Sequence, residues 1–165
     1  MMIPSCKTAA LNSGLTNYEI NKFLNIAKQA AERGGASLMN NYGRIKTVNC
    51  KGIAGDLVTN ADIECERIII DYLEKETPNI SILAEESGYK LKDGELKWCI
   101  DPLDGTTNYA HGYPFFATSI GLIWNSNPIL GAISIPSLNE LYYASPEHGS
   151  FCNAEKINVT DTNSL

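Results

Sequence analysis

The sequence predicts an α+β fold, two long helices packed on a largely antiparallel sheet. Three observations carry that prediction. Apolar residues recur at helical spacing in two segments before Pro78. Beyond Pro78 the pattern changes to short apolar runs rich in β-formers, with turn residues between several of them. Helices in sequence followed by strands in sequence are the mark of segregated rather than alternating elements. The 165 residues suffice for one domain of ordinary size, read here as a single unit over 1–165. Repeats, linkers and low-complexity tracts are not evident.

The first helix begins at Thr16, which forms a capping box with Glu19. Ile20, Phe23, Leu24, Ala27, Ala30 and Ala31 supply one apolar face. Gly34-Gly35 weakens the pattern, and Leu38 and Met39 can continue it, so the helix end stays open. Residues 46–55 read as an irregular or short extended connection. The second helix starts near Thr59 or Asn60, both good N-caps, carries Ile63, Ile69, Ile70 and Leu73, and stops at Thr77-Pro78. Strands are expected over 80–84, 96–100, 115–124, 129–135 and 141–144. Turns fall at Asp93-Gly94, 125–128 and 136–140. Met39, Phe115, Phe116 and Trp124 read as core residues.

Thirteen Lys and Arg against nineteen Asp and Glu give a net charge of −6. The only arginines, Arg33, Arg44 and Arg67, are scattered, so there is no basic stripe to displace counterions from nucleic acid. Nucleic acid is therefore not expected as a primary ligand. An acidic protein can still take an anionic substrate through cations or backbone amides. The five cysteines (Cys6, Cys50, Cys65, Cys99, Cys152) include no C-x-x-C pair, which argues against a zinc ribbon or redox motif and for reduced thiols. Residues 1–16 lack a signal-peptide core and no later run is long enough to span a bilayer. The expectation is a cytoplasmic protein with no membrane partner.

Asp101-Pro102-Leu103-Asp104-Gly105-Thr106-Thr107-Asn108 is the most informative stretch. It follows the apolar run Trp98-Cys99-Ile100, which places Asp101 at a strand exit. Pro102 restricts the turn, and Asp104 can fold back toward Asp101. Two carboxylates a turn apart, with the Leu103 carbonyl between them, form a hard-oxygen donor set suited to Mg²⁺. Gly105 allows close backbone approach, and the amides that follow can bind phosphate. Taken alone the pattern is also an ordinary Asp-rich turn. Three other features point the same way: Glu85 in Glu85-Glu86-Ser87 at the end of an apolar run, Asp62 in a helix's first turn, and the Thr106 hydroxyl. Each singly also reads as a solvated acid, a first-turn helix acid or a cap hydroxyl.

Taken together, the runs Gly55-Asp56-Leu57-Val58-Thr59-Asn60-Ala61-Asp62, Ala84-Glu85-Glu86-Ser87-Gly88 and Trp98 through Asn108 resemble the inositol monophosphatase family. The tail through Gly149-Ser150-Phe151-Cys152-Asn153 is similar too. The resemblance implies the N-terminal part of an αβαβα sandwich and a Mg²⁺-dependent phosphatase. It implies metal ligation by Glu85, Asp101, Asp104 and the Leu103 carbonyl. It also implies that Asp62 and Thr106 position the nucleophilic water, that Glu85 belongs to the catalytic set, and that Gly105 and Thr106 contact phosphate. Lys51 matches a basic position near the site, though it also reads as an ordinary surface lysine. Thr107-Asn108-Tyr109 resembles the inositol monophosphatase branch more than the nucleotide-phosphate or fructose bisphosphatase branches. His111 and His148 read as structural or solvent-exposed.

The sequence departs from the family pattern by containing no Trp-Asp-x-Ala-Ala-Gly-like segment, which in the family brings another metal-binding Asp. A smaller departure is Asn153-Ala154 where Asn-Gly is common. The expected function is hydrolysis of a phosphate monoester, inositol monophosphate first, by a metal-activated water. The alternatives are a fructose-1,6-bisphosphatase-type or other sugar-phosphate phosphatase, and a truncated, non-catalytic homologue that keeps metal affinity or a dimer surface. The expected partners are a small phosphorylated polyol or sugar, with a homodimer kept open.

Overall fold

The structure, a computed structural model, describes residues 5–44, 48–50, 57–146, 148–160 and 162, with 48–50 and 57–59 described as backbone. Lys51, Gly55 and Asp56 lie outside the described residues. Two long helices lie on one face of an eight-stranded sheet, as the sequence predicts. A short helix α1 (Cys6–Asn12) comes first and was not expected. It is too brief to show a period, and it forms because Ser5 caps it and Ala9 and Ala10 bury themselves in the core.

Helix α2 (Asn17–Asn41) has the predicted capping box, with Thr16 and Glu19 each satisfying the other's backbone N–H. It runs straight through Gly34-Gly35. A Cβ on Gly34 would lie 2.8 Å from the Thr118 methyl and 2.9 Å from Ile69, and one on Gly35 would lie 2.7 Å from the Ser134 hydroxyl. The pair weakens the helix locally by roughly 1 kcal/mol per residue relative to Ala. It is retained because only glycine lets α2 press this closely on the sheet and its neighbouring helix. Strands β1 (Val48–Cys50) and β2 (Leu57–Thr59) form a separate antiparallel pair; of the connection expected over 46–55, only 48–50 falls within the described residues, and it is extended. Helix α3 (Asn60–Glu76) starts and stops where predicted.

The remaining strands are β3 (Ser81–Ala84), β4 (Gly88–Lys90), β5 (Leu96–Asp104), β6 (Ala117–Trp124), β7 (Asn127–Ile135), β8 (Glu140–Ser145), β9 (Gly149–Cys152) and β10 (Glu155–Ile157). Their order is β10-β9-β8-β7-β6-β5-β3-β4, and every pairing is antiparallel except β3 with β5. Strands β4 and β10 were not expected. Each has three mostly exposed residues and exists through its partner's ladder rather than its own apolar pattern. At Asn153-Ala154 the left-handed conformation falls on Asn153, at φ 54°, and Ala154 is spared it. Asn153 also accepts the Leu141 N–H at 2.9 Å through its side chain.

Alternation along the strands puts Trp98, Ile100, Ile120, Leu122, Leu130 and Ala132 beneath the helices. Trp98 is fully buried and donates its indole N–H to Thr77 at 2.9 Å. Three apolar residues depart from the expected core. Ile63, Met39 and Phe115 are 57%, 41% and 65% exposed, while Phe116 is buried and Trp124 packs half-buried at the core's margin. Phe115 lies just before β6, so the ladder does not fix its facing.

Candidate functional site

The site is assembled where β3, β5, α3 and a short helix α4 (Thr106–Ala110) meet. Strand β5 does not end at Ile100 as expected but continues to Asp104, with an irregularity in its pairing to β6 between Asp101 and Asp104. The irregularity takes the Pro102 carbonyl out of the ladder. It instead accepts the buried Thr118 hydroxyl at 3.0 Å and the Cys65 thiol at 3.2 Å. The bulge that spaces the two aspartates is therefore pinned from below by α3 and β6.

Gly105 then turns the chain into α4 with φ +88°. A Cβ there would sit 2.9 Å from the Phe115 carbonyl, so both the conformation and the space call for glycine. Tyr109 anchors α4 by donating its hydroxyl to the Leu38 carbonyl at 2.7 Å, and its ring meets Phe116 edge-on at 4.8 Å. Burial, and then the nearby Asp62 carboxylate, push the Tyr109 phenol up to about 12, so it stays a donor.

Asp62, on the first turn of α3, is buried, with 1% of its surface exposed. The Thr106 hydroxyl lies 3.1 Å from an Asp62 oxygen and 3.0 Å from the Leu103 carbonyl. One hydroxyl has one proton and can donate to only one of these acceptors at a time. Gly105, Thr106, Asp62 and the Leu103 carbonyl thus lie together.

On the other side of the bulge, Asp101 faces Glu85, the first residue of the turn after β3. Strand β3 runs parallel to β5 with Ala84 opposite Ile100, so the next residue along each strand comes level at the same end. Asp101 and Glu85 share a side-chain hydrogen bond, and the Leu103 N–H donates to Asp101 at 3.1 Å. Burial, the Glu85 charge and hydrogen bond, and the Asp104 charge raise the Asp101 carboxyl to about 7, against the Leu103 N–H, which lowers it. Two carboxyls in hydrogen-bond contact require a proton between them, and a hard divalent cation can replace that proton. This donor chemistry fits Mg²⁺. Among the described residues, no three carboxylate, histidine or cysteine side chains converge as a full ligand set. Of the expected trio, Asp101 and Glu85 lie together, and Asp104 acts on Asp101 only through its charge.

The pair opens onto a groove of about 440 Å³ lined by Leu83, Glu85, Cys99, Asp101, Ser119 and Gly121. A larger cleft of about 720 Å³ lies between the outer surfaces of α2 and α3, away from these groups, and holds none of the predicted site residues. His111 and His148 are exposed and bonded locally, to the Thr107 carbonyl at 2.8 Å and the Ser145 hydroxyl at 3.0 Å. One participant went unpredicted. Glu66 is buried on α3 and accepts the backbone N–H groups of Glu86 and Ser87. Its position four residues after Asp62, on the same helix face, was the available signal.

The family model described as the inositol monophosphatase family matches residues 19–165. The chain belongs to the inositol monophosphatase family. It is 39% identical over 159 residues to the inositol-1-monophosphatase of Synechocystis sp., covering 96% of this chain and 55% of that protein. It is 38% identical to the fructose-1,6-bisphosphatase/inositol-1-monophosphatase of Aquifex aeolicus, covering 88% of this chain and 56% of that protein. Among solved structures, the extragenic suppressor protein suhB of Bartonella henselae superposes with a TM-score of 0.82 at 38% identity, covering 86% of this chain and 55% of that one. This member of the inositol monophosphatase family thus spans about half the length of the relatives it matches. No helix among the described residues is long and apolar enough to cross a membrane.

Proposed function

We propose that this chain is the N-terminal portion of a cytoplasmic, Mg²⁺-dependent phosphomonoesterase, with inositol monophosphate as its first-choice substrate. The observation that carries the reading is the Asp101–Glu85 carboxyl pair beside Asp104, an excess of negative charge at one point of an open groove. Glu85, Asp101, Asp104 and the Leu103 carbonyl would hold the cation. When bound, Mg²⁺ supplies Lewis acidity that makes water a better nucleophile and stabilises charge on the leaving oxygen.

The remaining work falls to residues of this chain. The Gly105 turn presents the first-turn N–H groups of α4, which have no partner inside the helix, to phosphate oxygens. Asp62 accepts the Thr106 proton, which leaves the hydroxyl oxygen to accept from and orient a water. A cation taken up by the Leu103 carbonyl would leave Asp62 as the acceptor of that proton. The water oxygen bonds to phosphorus as the ester P–O bond breaks, and the departing polyol oxygen takes up the proton that the water gives up. Sugar phosphates such as fructose 1,6-bisphosphate share the recognised group and are the second substrate class.

The test is phosphate release with Mg²⁺ across inositol monophosphate, fructose 1,6-bisphosphate and other sugar phosphates. The 165-residue chain should bind Mg²⁺ but turn over slowly, because a two-metal displacement needs both oxygens held and misplacement by about 1 Å costs on the order of a hundredfold. A homologue's C-terminal half supplied in fusion should raise the rate. In that fusion Asp62→Asn should lower kcat while leaving Mg²⁺ affinity near normal. A parallel loss of Mg²⁺ affinity would move Asp62 into the metal shell. Self-association into a homodimer without turnover is the competing outcome, read by sedimentation.

A further inference from the structure

We propose that Glu66 is a positioning residue that holds Glu85 in register with Asp101, an inference that rests on the metal-site reading above. Glu66 is 4% exposed, yet its two carboxylate bonds to backbone N–H groups serve neither the helix that carries it nor a strand ladder. One carboxylate oxygen accepts the Glu86 N–H at 2.8 Å and the other accepts the Ser87 N–H at 2.9 Å. Hydrogen bonds to a charged acceptor are roughly twice as strong as neutral ones. Both act on the turn between β3 and β4, whose first residue is Glu85.

A three-residue turn with a long acidic side chain has many conformations open to it. Two charge-assisted bonds from a rigid helix remove most of them. They fix the backbone on one side of Glu85 while the β3–β5 pairing fixes it on the other. Asp62, Cys65 and Glu66 lie on one face of α3, at the spacing of a helical turn. Asp62 meets Thr106, Cys65 meets the Pro102 carbonyl, and Glu66 meets the Glu85 turn. The helix therefore sets the spacing between separate parts of the site, and Glu66 holds the turn that the Ala84–Gly88 pairing closes.

The test is a double-mutant cycle on Mg²⁺ binding by the intact chain, followed by calorimetry, with the fold checked by circular dichroism. Glu66→Gln keeps the size but offers one oxygen and one N–H₂ where two acceptors are needed. It should weaken Mg²⁺ binding by about tenfold, as loss of an outer-shell partner commonly does. In a Glu85→Ala background the same change should cause no further loss. Exchange of the Glu86 and Ser87 amide protons should speed up in Glu66→Gln and not in Glu85→Ala. Glu64→Gln, an exposed acid on the same helix, controls for net charge and should leave affinity within about twofold. Additive losses in the cycle, or normal affinity in Glu66→Gln alongside lost affinity in Glu85→Ala, would overturn this proposal and leave the metal site standing. Unchanged affinity in Glu85→Ala would overturn the metal site and this proposal with it. Should Glu66→Gln fail to fold, the wild-type chain still decides. Exchange of the Glu86 and Ser87 amides should slow on Mg²⁺ saturation, and unchanged exchange overturns the proposal.

Discussion

The two faces of the eight-stranded sheet are made from the same strands and have opposite fates. Beneath α2 and α3, Trp98, Ile120, Leu122 and Ala132 are sealed in the core. On the other face, the residues between them, Cys99, Asp101, Ser119 and Gly121, line the groove onto which the Asp101–Glu85 pair opens. Further along that face, Ser119, Ile133, Tyr142, Ser150 and Ile157 line a shallow apolar depression of about 320 Å³. A period of two along each strand thus separates stability from chemistry. The covered face has little polarity on its strands, and the Asp101–Glu85 pair lies on the accessible one.

The comparison breaks most severely on the covered face. Trp98→Ala removes a fully buried indole and the N–H that the Thr77 hydroxyl accepts, leaving that hydroxyl only its bond to the Leu73 carbonyl. It should cost about 3–5 kcal/mol in urea unfolding, enough to consume much of a typical domain's stability. An equally large loss from the open-face variant Ile133→Ser would mean the two faces are not distinct in this way.

On the site face the effect should depend on pH. Asp101 in the metal-free fold holds its proton up to about 7, above the ordinary carboxyl value of 3.8. The folded state therefore binds more protons than the unfolded state between those limits. This contribution to stability is fully present below about pH 4 and is lost as pH rises through about 7. Melting temperature followed across that window should show the decline, and Asp101→Asn should flatten it. Mg²⁺ should raise the melting temperature most above pH 7, where the pair is ionised, and Asp101→Asn should lose most of that increase. An unchanged Mg²⁺ shift in the variant would place the cation elsewhere.

The smallest effect is expected in the apolar depression. Ile133 is 42% exposed, so Ile133→Ser should alter stability by less than about 1 kcal/mol. Its consequence should appear as reduced self-association in sedimentation at high concentration, since an uncovered apolar patch is a contact surface.

Much of the site was legible because its parts lie close together in the chain. The run from Asp101 to Thr106 carries two carboxylates, the carbonyl, the glycine and the hydroxyl within one turn and a helix start, and local geometry keeps them near one another. Glu85 and Asp62 could be named from their places at a strand end and in a helix's first turn. Their partners could not be read from the residues alone. Asp62 reaches Thr106 across forty-four positions, and Glu66 reaches Ser87 across twenty-one. Ile63 and Phe115 were misplaced for a related reason. An apolar residue at a segment's margin has no periodic neighbours to fix which way it faces.

By itself the sequence determined the ends of α3, the capping box of α2, the strand-rich second half and which polar groups the acidic loop brings together. These rest on interactions within a few residues: side chains capping nearby N–H groups, proline removing a donor, and apolar residues repeating with the period of their element. The tertiary structure decided that α2 runs through two glycines, that β3 pairs parallel to β5, and that a buried glutamate on α3 takes the turn beside Glu85. Each of those depends on surfaces brought together from distant parts of the chain. Close approach, register and the satisfaction of buried polar groups become defined only when the whole sheet and its helices are in place.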